Sequence, residues 1–480
     1  MCFGVRGEIF LSIRKTTEVS DVELCVQKSF MEKIKKINEG KNLRMSVQTF
    51  GCQMNAHDSE KLIGMLKEMG YSETAEEKDA DLIIYNTCCI RENAENKVYG
   101  NLGYLKTVKQ NKKDLKIILC GCMMQQDTAI EKIRKAYRHV DVIFGTFNLH
   151  KLPQLLHTNI ETNQMIIDVW EDSEQIVEDL PTERARKFKS SVNIMFGCNN
   201  FCSYCIVPYV RGRERSREVQ DILKEIKFLA DDGVKEIVLL GQNVNSYGKT
   251  LPEQTTFAQL IHLIHDIDGI ERIRFMTSHP KDLSDELIYA IRDLDKVCNH
   301  VHLPFQSGST EILNRMNRKY TKDEYLQLVE KIKREVKDVA ITTDIIVGFP
   351  GETEEDFAHT LDVVEQVGFS MAFTYIYSKR TGTPAAIYEQ QIEESVVKER
   401  FNRLLKVVNP EIYEINKSYV GKTVKVLAED VNTQDETLLT GRTDTNALVH
   451  FKAEPKEIGE IVEVKIQDNK TFYLIGKIIK

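Results

Sequence analysis

The 480-residue sequence predicts an α/β protein of three parts: an N-terminal doubly wound parallel α/β domain, a central partial (β/α)6 barrel, and a small C-terminal antiparallel β-barrel. Three observations carry this expectation. From Met45, apolar runs of strand length alternate with stretches of helical period. Between Arg184 and Glu414, six further apolar runs are separated by helical sequence. From Lys417 the texture turns to short alternating runs with turns between them.

In order along the chain, residues 1–42 form a charged, helix-like extension (SFMEKIKKINEG) without a usable motif. The domain expected over 43–160 begins with RMSVQTFGC, a strand ending in a turn. The helix DSEKLIGMLKEMG follows and closes at Gly70, a suitable C-cap residue. DLIIYNTCC, DLKIILCGC and VDVIFGT supply a second, third and fourth strand. A polar, acidic linker leads into the domain expected over 184–414. There SVNIMF, EIVLLG, IRFMTS, HVHLPF, TTDIIVGF and SMAFTYIY are the strands. Six strands rather than eight leave a gap in a barrel wall, which suits a bulky substrate. KTVKVLAED, LLTGRTDTNALVHF, EIVEVKIQD and FYLIGKIIK make the terminal barrel over 417–480.

The chain is 42% apolar and 29% charged, as a folded soluble protein is. No run is long enough to span a bilayer, and the N-terminal IFLSI is too short and too soon followed by charge to be a secretory segment. A cytoplasmic location is expected, where eleven cysteines are not a disulfide framework. The net charge of −8 argues against a broad grip on phosphates, so any nucleic-acid contact must be local. Two basic runs exist, Arg184–Lys189 (RARKFK) and Arg211–Arg217 (RGRERSR), and each by itself reads as a solvated loop.

Five cysteines (Cys2, Cys25, Cys89, Cys120, Cys298) can be ordinary small residues; the other six form two sets of three. Cys198, Cys202 and Cys205, spaced CxxxCxxC, follow the first barrel strand. Structural zinc wants four protein ligands, and no fourth His or Cys lies near in sequence, although a zinc knuckle short of one ligand is the rival reading. Three thiolates on a four-iron cluster leave one iron open to a small molecule. Cys52, Cys88 and Cys122 each lie just past the last apolar residue of a different N-terminal strand. In such sheets the strand ends line the ligand crevice. Position alone leaves open whether they are ligands or three unrelated buried thiols.

With an aromatic residue, Tyr204, before its last cysteine, CxxxCxxC resembles the signature of the radical S-adenosylmethionine (SAM) superfamily. The resemblance implies that the amino and carboxylate groups of SAM take the open iron of a cluster held by Cys198, Cys202 and Cys205. One electron then cleaves SAM to a 5′-deoxyadenosyl radical. It also implies SAM contacts at Tyr204 beside the adenine, at Gln242 or Asn243 in GQNVNSYG, and at Gly348 and Glu352 in GFPGET. A core aromatic and turn-forming glycines are the plainer readings of these segments.

The words FGCQMNAHDSE, YNTCCIRENAENKVYGNLGYLK and CGCMMQ resemble the N-terminal domain of the methylthiotransferases. In that family Cys52, Cys88 and Cys122 would hold a second four-iron cluster; Cys89 and Cys120, adjoining this set, depart from the family pattern and would be alternative ligands on oxidation or damage. IVPYVRGRERSR, RFMTSHPKDL, HLPFQSGSTEIL and GRTDTNALVHF resemble its tRNA branch, whose terminal barrel is a TRAM domain. That branch implies methylthiolation of carbon 2 of N(6)-dimethylallyladenosine in the anticodon loop of tRNA. It implies two SAM per turnover and sulfur from the second cluster. An electron donor such as flavodoxin or ferredoxin, a monomeric chain and no membrane partner complete the expectation. Related targets are threonylcarbamoyl-adenosine in tRNA and a ribosomal-protein aspartate; a non-catalytic zinc-binding RNA module is the alternative of another class. The terminal barrel is not basic, with nine Lys or Arg against ten Asp or Glu from Gly421 onward. His57, Asp58, His279 and His302 read as structural or hydrogen-bonding groups.

Overall fold

The computed structural model describes residues 17–89 and 92–479. The expected contributions of Cys2, IFLSI and the Ile90-Arg91 pair lie outside the described residues. Among the described residues no helix is long and apolar enough to cross a membrane.

The N-terminal domain is a fully parallel six-stranded sheet. Its spatial order is Ser72–Glu73, Arg44–Thr49, Leu82–Thr87, Lys116–Gly121, Val142–Phe144, Ile166–Asp168. The sequence reading found four of these strands. The two it missed are two and three residues long and carry no sustained apolar pattern. Chain order reverses between Arg44–Thr49 and Leu82–Thr87, which makes their carboxyl ends the switch point where such sheets bind ligands. Both faces are covered, so the strands read as continuous apolar runs. On one face pack Val98, Leu102 and Ile133. On the other pack Leu62, Leu66 and Leu156, together with Met31 and Ile34 from helix Asp21–Asn38 of the N-terminal extension.

In the central domain the six expected strands are present: Lys189–Asn193, Glu236–Leu240, Arg272–Phe275, His300–His302, Ala340–Val347 and Met371–Ile376. They pair in parallel as two triplets, and a bridge between Ile273 and Val297 joins the triplets. Among the described residues Lys189–Asn193 and Met371–Ile376 each have one barrel neighbour, so the wall is open between them. Alternate residues of the strands (Val192, Ile237, Ile273, Val301, Ile341, Ile345) pack outward against the helices in one large core.

Helix Glu394–Lys417 leads to a closed five-stranded barrel, Thr423–Val431, Leu438–Thr443, Leu448–Lys452, Leu474–Ile478, Ile461–Asn469. All its pairs are antiparallel except Leu448–Lys452 with Leu474–Ile478, which run parallel where the barrel closes. This barrel docks under the starting ends of the central strands. Arg272 donates to the carbonyls of Arg442 and Lys425 at 2.9 and 3.0 Å, and Arg274 to those of Asp444 and Thr443 at 2.9 Å each. Lys189 bridges Glu429 at 2.6 Å and the fully buried Glu236 at 2.8 Å. Burial favours the protonated form of Glu236, but Arg274 and Lys189 outweigh it and pull the carboxyl down to about 2. The Arg184–Lys189 run is therefore not free: Arg184 pairs with Asp232, Arg186 with Asp430 and Lys189 as above.

Candidate functional site

Cys198, Cys202 and Cys205 sit on the loop beyond the first barrel strand, at the end of the barrel opposite the terminal domain. Gly197 makes the turn into that loop with φ of 71°, and a Cβ there would lie 2.0 Å from the Arg213 carbonyl oxygen. The Cys198 amide donates to the Gly212 carbonyl at 3.1 Å, and the Cys205 amide to that of Cys202 at 2.9 Å. Cys198 and Cys202 are buried and Cys205 is half-buried. Burial pushes the Cys198 and Cys205 thiols up to about 12, and the nearby Cys202 adds to the effect on both. The buried Arg318 supplies a compensating cation. Its Nη1 lies 3.6 Å from Cys202 Sγ, while Nη2 donates to the Pro304 carbonyl at 2.8 Å.

Around this loop, Tyr204 packs on Ile312, Met316 and Phe349. The Gly348 amide donates to Glu352 at 3.2 Å, and Arg400 donates to the same carboxylate at 3.0 Å. Burial raises the Glu352 carboxyl to about 7, against the pull of that amide and of Arg400. Gln242 reaches across to Met54 Sδ of the N-terminal domain at 3.2 Å. Asn243 uses both polar atoms on the next loop, accepting from the His279 amide at 3.2 Å and donating to Asp282 at 2.8 Å. Burial and the Arg318 charge hold His279 neutral, down to about 2, and its Nδ1 accepts from the Lys281 amide at 3.3 Å. His302 Nδ1 meets Thr342 Oγ1 at 2.9 Å, and His57 Nδ1 meets Glu60 at 3.2 Å.

The second trio also converges. Cys52 is the N-cap of helix Gln53–Glu68, Cys88 follows Leu82–Thr87, and Cys122 follows Lys116–Gly121. The register Thr49–Asn86 and Thr87–Gly121 brings the three strand ends level. Gly51, at φ of 111°, lets the chain pass over Cys88: a Cβ there would lie 2.5 Å from Cys88 Cβ and 2.7 Å from its Sγ. Asn55 organises the centre. Its Nδ2 donates to the Phe50 and Thr87 carbonyls at 2.8 and 2.9 Å, while its Oδ1 lies 3.9 Å from Cys52 Sγ and 3.8 Å from Cys122 Sγ. Burial lifts the Cys122 thiol to about 11, opposed by Arg211. Cys89 and Cys120 are buried as well, and each thiol is raised well above its ordinary value by burial.

Arg211 corrects the solvated-loop reading of Arg211–Arg217: Arg211, Arg215 and Arg217 are all buried. Arg211 ends the short helix Val207–Arg211 that follows Cys205, yet its guanidinium lies among the N-terminal cysteines. Its Nε donates to Cys122 Sγ at 3.3 Å, and its Nη2 to Asn55 Oδ1 at 2.6 Å and Asp58 at 2.8 Å. Sequence reasoning overlooked Arg318 and Asn55 too. Only the QMN word around Asn55 hinted at one of them, because a lone charged or amide residue carries no signal until its partners are known.

Among the described residues no three His, Cys, Asp or Glu side chains come close enough to hold a single metal ion. The two trios, all sulfur and each with a buried arginine beside it, fit clusters in their donor chemistry.

Comparison with known proteins agrees with the architecture. Residues 192–364 match the Radical SAM superfamily, 44–145 match uncharacterized protein family UPF0004, and 417–479 match the TRAM domain. Among curated proteins, tRNA-2-methylthio-N(6)-dimethylallyladenosine synthase of Acetivibrio thermocellus is 56% identical over 97% of this chain and 98% of its own length. The protein of that name from Clostridioides difficile is 53% identical over 98% of this chain and all of its own. Among solved structures, the radical SAM methyltransferase TsrM of Kitasatospora setae aligns with a TM-score of 0.52 at 14% identity, covering 72% of this chain and 77% of that one, which is a likeness of fold. With three domains matched in order and full-length relatives above half identity, the chain belongs to the tRNA-2-methylthio-N(6)-dimethylallyladenosine synthase family of the radical SAM superfamily.

Proposed function

We propose that this chain transfers a methylthio group to carbon 2 of N(6)-dimethylallyladenosine beside the anticodon of tRNA. It would use SAM and two four-iron clusters, one on Cys198, Cys202 and Cys205 and the other on Cys52, Cys88 and Cys122. The observation that carries this reading is the presence of two separate cysteine trios, linked by the short helix Val207–Arg211 that follows Cys205. The names of the full-length relatives support the same target.

When bound, the clusters supply an electron to SAM and a sulfur atom to the substrate. The target C–H is not acidic, so a side-chain base is a poor route. The neutral, hydrogen-bonded His279 accords with that. The chain's own work is to bind and orient. Burial holds the Cys122, Cys198 and Cys205 thiols up, so they favour the proton until iron replaces it. Arg318 and Arg211 would then face sulfur charge at Cys202 and Cys122. Tyr204 and the turn held by Gly348 and Glu352 border the first trio, where SAM would lie. The open side of the barrel admits an unpaired loop. Its free-edged last strand exposes Phe373 (44%) and Tyr375 (38%), aromatic surface on which splayed bases stack. The reading includes a monomer in the cytoplasm, served by a flavodoxin- or ferredoxin-class donor.

Mass spectrometry of tRNA nucleosides from a deletion strain tests the target. Accumulation of unthiolated N(6)-dimethylallyladenosine, reversed by restoring the gene, is expected. Unchanged tRNA, or loss of the methylthio form of threonylcarbamoyl-adenosine instead, would redirect the activity.

A further inference from the structure

We propose that Arg211 is a positioning residue of the N-terminal cysteine site, lent to that site by the barrel domain. The inference rests on the reading of Cys52, Cys88 and Cys122 as cluster ligands. Arg211 is 4% exposed and reaches into the other domain with a fork of donors that touches one sulfur and two oxygens. Asp58 pairs with its Nη2 at 2.8 Å, which fixes the guanidinium with its Nε aimed at Cys122 Sγ. The Asn55 Oδ1 that accepts from Arg211 is the same atom that lies near both Cys52 Sγ and Cys122 Sγ. One guanidinium thus braces Cys122 directly and, through Asn55 Oδ1, the side of the trio that holds Cys52.

The helix that carries Arg211 is anchored on the N-terminal domain at two points. Ile206 and Val210 pack into the N-terminal core beside Met123 and Met124. Thr146 Oγ1 donates to the Val210 carbonyl at 2.7 Å. The helix begins two residues after Cys205, so any shift of the first cysteine loop is felt at Cys122. Hydrogen bonds and charge at cluster sulfurs raise a cluster's reduction potential. Arg211 is therefore assigned two effects: it holds Cys122 for metal loading, and it keeps the N-terminal cluster at a higher potential than thiolates alone would give.

Arg211→Lys keeps a cation but loses the fork, and Arg211→Gln loses the charge. Thr146→Val loosens the same domain junction without touching sulfur. Each variant and the parent protein are reconstituted without air, and iron content, electron paramagnetic resonance and midpoint potentials are measured. In Arg211→Lys the N-terminal centre is expected at lower potential or reduced occupancy, with the signal of the Cys198 centre kept. Arg211→Gln should go further in the same direction, and Thr146→Val should match the parent. Full occupancy with unmoved potentials in both Arg211 variants would overturn the assignment. So would equal loss of both centres, which marks a general folding role, or an equal shift in Thr146→Val. If the parent itself carries one centre, the ligand reading fails first, and that result is distinguishable from all of these.

Discussion

The two cysteine sites reach the same kind of arrangement by opposite routes. The barrel site is local: Cys198, Cys202 and Cys205 lie on one loop, and its arginine, Arg318, belongs to the same domain. The N-terminal site is assembled from three strand ends, and its arginine, Arg211, arrives from the neighbouring domain. A local loop can keep its ligands together through many changes elsewhere. The assembled site exists only while sheet register, the Gly51 turn and the domain junction all hold. Under the proposed function, a local loop would suit the centre that takes SAM, and assembly across domains would tie the second centre to the position of the first.

The largest test of this contrast removes one ligand from each site. Cys202→Ala should abolish formation of 5′-deoxyadenosine. Cys88→Ala should retain it and lose the methylthio product, read by chromatography of both products. Sustained methylthio product from Cys88→Ala over many turnovers would break the assignment of the second trio.

Backbone tests sharpen it. Gly51→Ala places a methyl group 2.5 Å from Cys88 Cβ at a positive φ. It should cost about 1–3 kcal/mol and lower iron at the N-terminal site, read by thermal unfolding and metal analysis. Gly103, exposed on helix Glu92–Asn111, has nothing within 4 Å of the added carbon. Gly103→Ala should stabilise by about 0.5–1 kcal/mol, leave iron unchanged and give the smallest effect of the series.

Between these lies a test at the far end of the barrel. The Glu236 carboxyl is depressed from 4.5 to about 2 in the folded chain. A depressed carboxyl contributes stability that is complete above the unfolded value and is lost as pH falls from about 4.5 toward 2. Glu236→Gln should lower stability at neutral pH and flatten the acid loss over that window. If the variant's pH profile parallels the parent's, the ion cluster does not hold the terminal barrel in place.

The contrast also explains what was legible in sequence. The six barrel strands and the CxxxCxxC loop could be read directly, because long apolar runs and short cysteine spacing are local signals. The N-terminal trio could be read only as far as three strand ends, and resemblance supplied the rest. Ser72–Glu73 and Ile166–Asp168 are too short for a pattern. Arg211 and Arg318 were hidden because their partners lie 89 and 116 residues away, and a buried arginine looks like a solvated one until the fold pairs it.

The most direct test of two independent centres is Mössbauer spectroscopy with iron counting on air-free protein and on a Cys52→Ala, Cys88→Ala, Cys122→Ala variant. The account predicts about eight irons in the parent and about four in the variant, the survivors responding to SAM. Equal iron in both proteins, or a single four-iron centre in the parent, would contradict it.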